Sequence, residues 1–214
     1  ILSTAFDTGN DLDNGSGTLS DLSIINNTLT STTSATTSKG SGIVIDLRGT
    51  AGSVANLTKA TVSGNTLANF PSGAGIKVLG GNPNSGGPLA TVGVMGSATD
   101  IIQITQNSIQ GQSSSSQMGS NGIEVTMDGK GQGNFDISDN TPINHVKGNG
   151  LALSVFGQAT VKGSIDNNAI VANNTFDSAG MAVGVDQAFG ASDAPVLSAT
   201  ISNNQISQSQ GNGL

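Results

Sequence analysis

The sequence predicts an all-β solenoid, in which similar turns of chain, here called rungs, stack on one another along an axis. The first observation is a repeated motif of a Val or Ile, an Asn three residues later, and an apolar residue two further on. Five full copies contribute Asn27, Asn65, Asn107, Asn174 and Asn204, and a degenerate copy, which has Pro142 at the last position, contributes Asn140. Their spacing lies between 30 residues (174 to 204) and 42 residues (65 to 107). Repeats in this range are typical of stacked architectures, so we expect about six rungs.

The second observation is a strand pattern that opens with glycine in each repeat. Gly42-Ile-Val-Ile and Gly122-Ile-Glu-Val are two copies, and apolar and variable residues alternate after the glycine. Alternation with a period of two predicts a half-buried strand. The glycines of this pattern are Gly42, Gly75, Gly122, Gly150, Gly180 and Gly213.

The third observation is a similar alternation ahead of each Asn. An apolar residue precedes the Val or Ile of the motif by two positions, and the residue between them is mostly polar, as in Leu22-Ser23-Ile24. For the fifth copy this alignment selects Ala169-Ile170-Val171. A shift of one residue would turn every side chain to the other face, so the alternation specifies how the rungs stack.

Asn and Gly at fixed points of each repeat predict sharp turns. Asn tolerates the left-handed backbone region because its short amide bonds locally to the backbone, and Gly accepts a positive φ without penalty. Stacked amides also bond to one another as a ladder along the axis. The alternative is that these residues mark hairpin turns of a β-sandwich, but sandwiches rarely place one turn residue at the same point of every copy.

Composition narrows the possible classes. The chain has no Cys, so it has neither disulfides nor a thiolate metal site. A formal net charge of −7 with seven scattered Lys and Arg argues against a nucleic-acid partner. No apolar run of about 18 residues occurs, so we expect no membrane insertion by this segment. No shift in composition divides the chain, so residues 1–214 are interpreted as a single domain.

Polar and flexible segments, such as 31–41 and 110–121, separate the repeats and explain the uneven period. The alignment of the glycine-led strands also places Lys77 and Glu124 on neighbouring rungs, at the same outward position. Strands in a sheet lie roughly 5 Å apart, so an ion pair is expected between these side chains.

Two copies carry a resemblance to a known fold family: Ala60-Thr-Val-Ser-Gly-Asn-Thr-Leu67, and Ala199-Thr-Ile-Ser-Asn-Asn-Gln-Ile206 followed by Gly211-Asn-Gly-Leu214. The pattern resembles the right-handed parallel β-helix, the pectin-lyase-like fold. It is most similar to repetitive segments of bacterial secreted and outer-membrane surface proteins, of the adhesin or autotransporter-passenger type. The resemblance implies an extracellular or cell-surface location and a role as a stalk or adhesive element. It is specific for fold and weak for function, because this fold hosts many activities.

Catalysis is the main alternative, because lyases and hydrolases that act on polysaccharides share this fold. A hydrolase needs carboxylates about 5–10 Å apart, and Asp136, Asp139 and Asp128 are the nearest candidates. On the stacking alignment Asp136 points outward beside Gln103 and Ile170, which is a poor catalytic row. His145 is the single histidine, so no histidine pair or conventional triad can be built. We therefore predict no catalytic residue and no cofactor.

Metal and sugar binding are two further alternatives. The oxygen-rich run that contains Asp7, Asp11 and Asp13 suits calcium but lacks EF-hand spacing, so a solvated turn is the preferred interpretation. Surface glycans remain possible ligands, although the chain has neither Trp nor Tyr to stack on sugar rings.

The last repeat stops at Leu214, without a polar cap. A solenoid with exposed strand edges pairs with other chains. The predicted partners are therefore other copies of this chain, end to end, or flanking segments of a longer chain. The sequence predicts an extracellular structural or adhesive solenoid, or a filament subunit, rather than an enzyme.

Overall fold

The computed structural model describes residues 17–31, 40–47, 54–81, 92–111, 119–171, 178–186 and 193–214. Within these ranges the regular structure consists of strands alone. None of the described residues forms a helix long and apolar enough to cross a membrane.

Eighteen strands follow one another along the described chain: β1 (Gly17–Ile25), β2 (Thr28–Thr30), β3 (Ile43–Leu47), β4 (Val54–Ser63), β5 (Thr66–Ala68), β6 (Ile76–Gly80), β7 (Val92–Met95), β8 (Ile102–Thr105), β9 (Ser108–Gln110), β10 (Ile123–Met127), β11 (Gln132–Ser138), β12 (Ile143–Asn144), β13 (Leu151–Phe156), β14 (Thr160–Asp166), β15 (Ala169–Val171), β16 (Met181–Asp186), β17 (Val196–Ser202) and β18 (Gln205–Ser207).

The strands form three sheets in which each pairing is parallel. Sheet 1 has the order β1-β4-β7-β11-β14-β17, and β8 lies beside β4 and β11 in it. Sheet 2 has the order β2-β5-β9-β12-β15-β18, and sheet 3 has the order β3-β6-β10-β13-β16. Each of the first five rungs contributes to the three sheets in turn, the sixth contributes β17 and β18, and each rung pairs directly with the next. The predicted all-β solenoid is therefore confirmed as a parallel β-helix, with six rungs in the described residues.

The core lies between the three sheets and consists of columns of side chains at one register position. In sheet 1, Val62, Ile104 and Ile137 stack through direct strand pairing and are fully buried. In sheet 3, Ile123 pairs with Ile76 and Leu151, and the three are also fully buried. These are the inward residues that the alternation predicts, because a period of two places every second side chain on one face.

The fifth rung corrects the sequence alignment. The pairing of β14 with β11 and β17 places Ile165 in the column of Ile137 and Ile201, where the alignment selected Val171. The motif is matched twice in this part of the sequence, at positions six residues apart. The earlier match consists of Ile165, Asn168 and Ile170, and the later one begins at Val171. Strand pairing decides between them, because only the earlier match continues the columns.

Candidate functional site

The most regular feature of the interior is a column of asparagines, which we call the amide column. Each member lies between the end of a sheet 1 strand and the start of a sheet 2 strand. The members are Asn27, Asn65, Asn107, Asn140, Asn168 and Asn204. The four central members are fully or almost fully buried. A buried amide must find partners for its hydrogen-bonding groups, and each central member does so in the rungs above and below.

Asn107 shows the pattern. Its Nδ2 donates to the Val62 carbonyl of the preceding rung at 2.9 Å and to Asn140 Oδ1 of the following rung at 3.0 Å. Its Oδ1 accepts from both the backbone N and the Nδ2 of Asn65, each at 3.0 Å. The same set of contacts repeats along the column, so each central amide connects three consecutive rungs.

One predicted member of the ladder is replaced. Asn174 lies outside the described residues, and Asn168 occupies the fifth position, with its Nδ2 2.9 Å from Asn204 Oδ1. The error follows from the alignment of Val171 with the sheet 1 column. Asn168 carries the same signal in the sequence, because it follows Ile165 by three residues and precedes Ile170 by two.

The left-handed backbone belongs to the residue before each ladder asparagine. These residues are Asn26, Gly64, Gln106, Asp139, Asn167 and Asn203, with φ between 52° and 66°. The ladder asparagines themselves have no positive φ. The predicted turn is present but displaced by one residue, because the ladder amide must point into the core while its neighbour reverses the chain.

The predicted turn glycines form a second column, and its physical basis differs from the prediction. Gly42, Gly75, Gly122, Gly150, Gly180 and Gly213 are absent from the residues with positive φ. A Cβ on Gly122 would lie 2.4 Å from Ile143 Cγ2 and 2.5 Å from the Gly150 carbonyl oxygen. A Cβ on Gly180 would lie 2.2 Å from Ile206 Cγ2. At each of these glycines except Gly213, an apolar side chain of sheet 2 in the next rung fills the space of the missing Cβ, so a larger residue does not fit.

A further row of polar side chains, which was not predicted from the sequence, supports the corner between sheet 2 and sheet 3. Asn121 Oδ1 accepts from the backbone N of Asn149 at 2.7 Å, and Asn149 Oδ1 accepts from the backbone N of Ala179 at 2.8 Å. Ser41 Oγ has the same role toward Ala74. The signal in the sequence was the recurring Asn-Gly pair. The Asn side chain accepts a hydrogen bond from the backbone of the next rung, and the Gly leaves space for a side chain of that rung.

The predicted ion pair is present. Lys77 Nζ lies 3.1 Å from Glu124 Oε1, and the two residues are register partners in β6 and β10. Replacing Glu124 with Lys should lower the free energy of unfolding by about 1 kcal/mol at low salt, because an attraction becomes a repulsion. Denaturant titrations at low and high salt measure the change. E124Q, which removes the charge but keeps the shape, should lower the free energy of unfolding by less than E124K does. An E124K effect of the same size at low and high salt would contradict the prediction.

The carboxylates considered for catalysis have structural partners. Asp136 stacks between Gln103 and Ser164, and the Ser164 hydroxyl donates to it at 3.1 Å. The neighbour predicted on one side, Ile170, is thus replaced by Ser164. Asp139 accepts from Asn167 Nδ2 at 2.6 Å. His145 is a half-buried residue with a φ of 50°, immediately after β12.

Asp128 is the most unusual carboxylate of the described chain. It is 3% exposed at the turn after β10, and the backbone N of Gly129 donates to its Oδ1 at 2.5 Å. Burial raises the pKa of Asp128, the Gly129 hydrogen bond lowers it, and the nearby Asp193 carboxylate raises it, with a net upward direction. Asp193 is also 3% exposed. The charged form of Asp128 is therefore disfavoured in the folded protein.

This pKa shift predicts a pH dependence of stability. An acid with a raised pKa binds more protons when folded, so stability falls as the pH rises from 3.8, its ordinary pKa, through the folded value. Asp128→Asn keeps an acceptor for Gly129 N but cannot ionise. We expect the variant to lose less stability than the wild type across this pH range, measured by urea unfolding at each pH. If the free energy of unfolding changed with pH in the same way for the two proteins, the raised pKa of Asp128 would be contradicted.

The calcium candidates Asp7, Asp11 and Asp13 lie outside the described residues. Among the residues that are described, no group of three or more His, Cys, Asp or Glu side chains is arranged to hold a metal ion. The Gly129-Lys130 segment forms a turn, and the backbone N of Gly131 donates to the Asp128 carbonyl at 2.9 Å.

Comparisons with protein-family models, with curated proteins and with solved structures found no match to this chain. The chain is therefore described by its architecture, a parallel β-helix with internal asparagine and glycine columns.

Proposed function

We propose that this chain is a structural segment of an extracellular protein, a rigid β-solenoid that serves as a stalk or adhesive spacer and catalyses no reaction. The observation that carries the proposal is the continuity of the amide column through all six described rungs. Each central amide bonds to the rung before it and to the rung after it. Stability is then approximately a sum of interfaces between neighbouring rungs, which favours an element built for length and stiffness.

The outward side chains support this role. Along the sheet 1 position of Asp136 the neighbouring rungs present Gln103 and Ser164, so no second carboxylate continues the row. Paired carboxylates are the usual requirement for hydrolysis of glycosidic bonds. The residue types that recur from rung to rung lie inside the solenoid. Each rung adds about 4.8 Å along the axis, so six rungs extend roughly 25–30 Å.

The bacterial surface location rests on the sequence resemblance to adhesin and passenger segments. It is tested by antibody labelling and protease shaving of intact source cells. We expect labelling without permeabilisation and loss of the protein on shaving. Labelling that requires permeabilised cells would overturn the location.

The absence of catalysis is tested by incubating the protein with a panel of polysaccharides that includes a polyuronate, with and without calcium. We expect unchanged polymer length and no new reducing or unsaturated ends. Turnover would overturn the structural proposal in favour of a polysaccharide-active enzyme. Affinity without turnover would instead identify the surface glycan on which an adhesive segment acts.

A further inference from the structure

A lysine, an asparagine and a glutamate of the second and third rungs meet on the outer face of sheet 3. Glu124 Oε1 lies 3.1 Å from Lys77 Nζ, and Glu124 Oε2 accepts a hydrogen bond from Asn121 Nδ2 at 3.0 Å. The register partners on the outer sides of the ion pair are Val44 and Ala152, whose side chains cannot compete for hydrogen bonds. A primary amine and a primary amide are therefore held on the two oxygens of one acid.

We propose that Lys77 and Asn121 form an amide bond with each other, and that Glu124 transfers the protons of this reaction. The bond joins Lys77 Nζ to Asn121 Cγ and connects the second rung to the third covalently. The reaction is a single modification of the chain by its own side chains, without turnover of an external substrate. It goes beyond the structural role proposed above and does not depend on it.

The side-chain amide of Asn121 is oriented for attack by an amine. Its Oδ1 accepts from the backbone N of Asn149 at 2.7 Å, and its Nδ2 faces the Glu124 carboxylate. A backbone N–H only donates and an ionised carboxylate only accepts, so these two partners fix which amide atom is oxygen and which is nitrogen. A donor on Oδ1 stabilises the negative charge that develops there when an amine adds to Cγ.

Glu124 contacts both nitrogens between which protons must move. Transfer of a proton from Nζ to Oε1 converts the ammonium group into a neutral amine, which is the nucleophilic form of lysine. The Nζ–Cγ bond then forms, and the Cγ–Nδ2 bond breaks as the carboxyl group passes its proton to Nδ2. The second proton lost from Nζ leaves with the ammonia. The products are a secondary amide, an ammonium ion and the unchanged carboxylate, so the balance requires no oxidant or reductant.

The two reacting groups are close because both contact the same carboxylate. Lys77 reaches it from the neighbouring strand, as the register partner of Glu124, on a flexible four-carbon stem. Attack requires the reacting atoms to approach to about 3–3.5 Å, and the movement that this requires is rotation of the stem from Oε1 toward Cγ. Groups held together in this way react as parts of one molecule, which removes most of the entropic cost of their encounter.

The next rung provides an internal control. Asn149 lies at the register position of Asn121, also precedes a glycine, and its Oδ1 accepts from the backbone N of Ala179 at 2.8 Å. The residue three positions after Asn149 is Ala152, whereas the residue three positions after Asn121 is Glu124. The same amide in the same setting therefore lacks the acid, and we expect no bond at Asn149.

The intact mass of the purified protein tests the bond. We expect the wild type to be lighter than its sequence by one ammonia molecule, and Lys77→Arg and Glu124→Gln to have the full mass of their sequences. Arg keeps the positive charge but is not deprotonated, and Gln keeps the shape of Glu but does not carry the proton. Lys162→Arg, at an exposed position of sheet 1, is the matched control and should lose one ammonia as the wild type does. Circular dichroism checks that each variant is folded.

Peptide mapping locates the bond and needs only the wild type. Cleavage of the denatured chain before each Asp releases peptide 46–99, which contains Lys77, and peptide 100–127, which contains Asn121. We expect the two peptides to remain joined, with one ammonia less than their summed mass. Ring closure of Asn121 onto the backbone N of Gly122 would cause the same loss of mass but would leave the peptides separate.

Three results would overturn the proposal: a wild type with the full mass of its sequence, separate peptides from the wild type, or equal bond formation in E124Q. Each of them leaves the structural role intact, because that role is tested with the polysaccharide panel. The stability change predicted above for E124K refers to the chain without the bond. E124Q is its reference, since neither variant can form the bond.

Discussion

Replacement of Asn107 by alanine is expected to lower the free energy of unfolding by about 3–5 kcal/mol. The variant leaves the backbone N and Nδ2 of Asn65 without their Oδ1 acceptor and the Val62 carbonyl without its side-chain donor. Asn65 and Asn107 are fully buried, so water cannot replace these partners. Each stranded buried group costs roughly 1–3 kcal/mol, and several are stranded together. Chemical denaturation monitored by circular dichroism measures the loss.

Asn27→Ala is the matched control at the end of the same column. Asn27 Nδ2 donates to the Ile25 carbonyl at 3.1 Å and to Asn65 Oδ1 at 3.0 Å, and both bonds are exposed or partly exposed. Asn27→Ala should lower the free energy of unfolding by about 0.5–1.5 kcal/mol, since water can take over these hydrogen bonds. Similar losses for Asn107→Ala and Asn27→Ala would contradict the view that the buried amides hold the rungs together.

Replacement of Gly122 by alanine is expected to destabilise the protein by about 3 kcal/mol, from overpacking and displaced backbone. The added Cβ would meet Ile143 Cγ2 at 2.4 Å and the Gly150 carbonyl oxygen at 2.5 Å. Real Cβ atoms do not approach so closely, so two neighbouring rungs must separate at this corner. Thermal and urea unfolding measure the effect. Gly213→Ala, which meets nothing within 4 Å, should change stability by less than about 0.5 kcal/mol.

The cause of the glycine requirement is tested by a second pair of substitutions. A Cβ on Gly180 meets Ile206 Cγ2 at 2.2 Å, and its next contact, the Gly213 carbonyl oxygen, is at 3.1 Å. Ile206→Ala removes the closer atom. The double variant G180A/I206A should therefore be more stable than the sum of the two single losses implies. Strict additivity would show that the glycine is needed for a reason other than this side-chain contact.

The repeat itself could be predicted from the sequence because its period is written in residue types that the fold constrains strongly. Half-buried strands alternate with a period of two, and buried amides must be hydrogen-bonded, which a column of asparagines at one register position achieves. The Lys77–Glu124 pair followed from the same register. The fifth rung could not be placed in this way, since Asn168 and Asn174 both fit the motif and only the pairing of β14 with β11 distinguishes them.

The physical reason for each recurring Asn or Gly was harder to predict than its position in the repeat. Positive φ was expected at the ladder asparagines and occurs one residue earlier, as at Gln106 before Asn107. The glycine column was explained by backbone freedom, whereas the structure shows close approach of Ile143 to Gly122 and of Ile206 to Gly180. Both corrections concern distances between rungs. A single sequence does not contain these distances, because they depend on which residue of the next rung lies above.

By itself the sequence determined that this chain is a repeated all-β solenoid with Asn and Gly at fixed points of each rung, because periodic burial leaves a periodic pattern of residue types. Only the tertiary structure decided which copy forms the fifth rung, which residue turns the chain, and what fills the space beside each glycine. Those answers depend on contacts between residues that lie some 30 to 40 positions apart along the chain, as the 33-residue separation of Asn107 and Asn140 illustrates. Such contacts arise only when the strands pair.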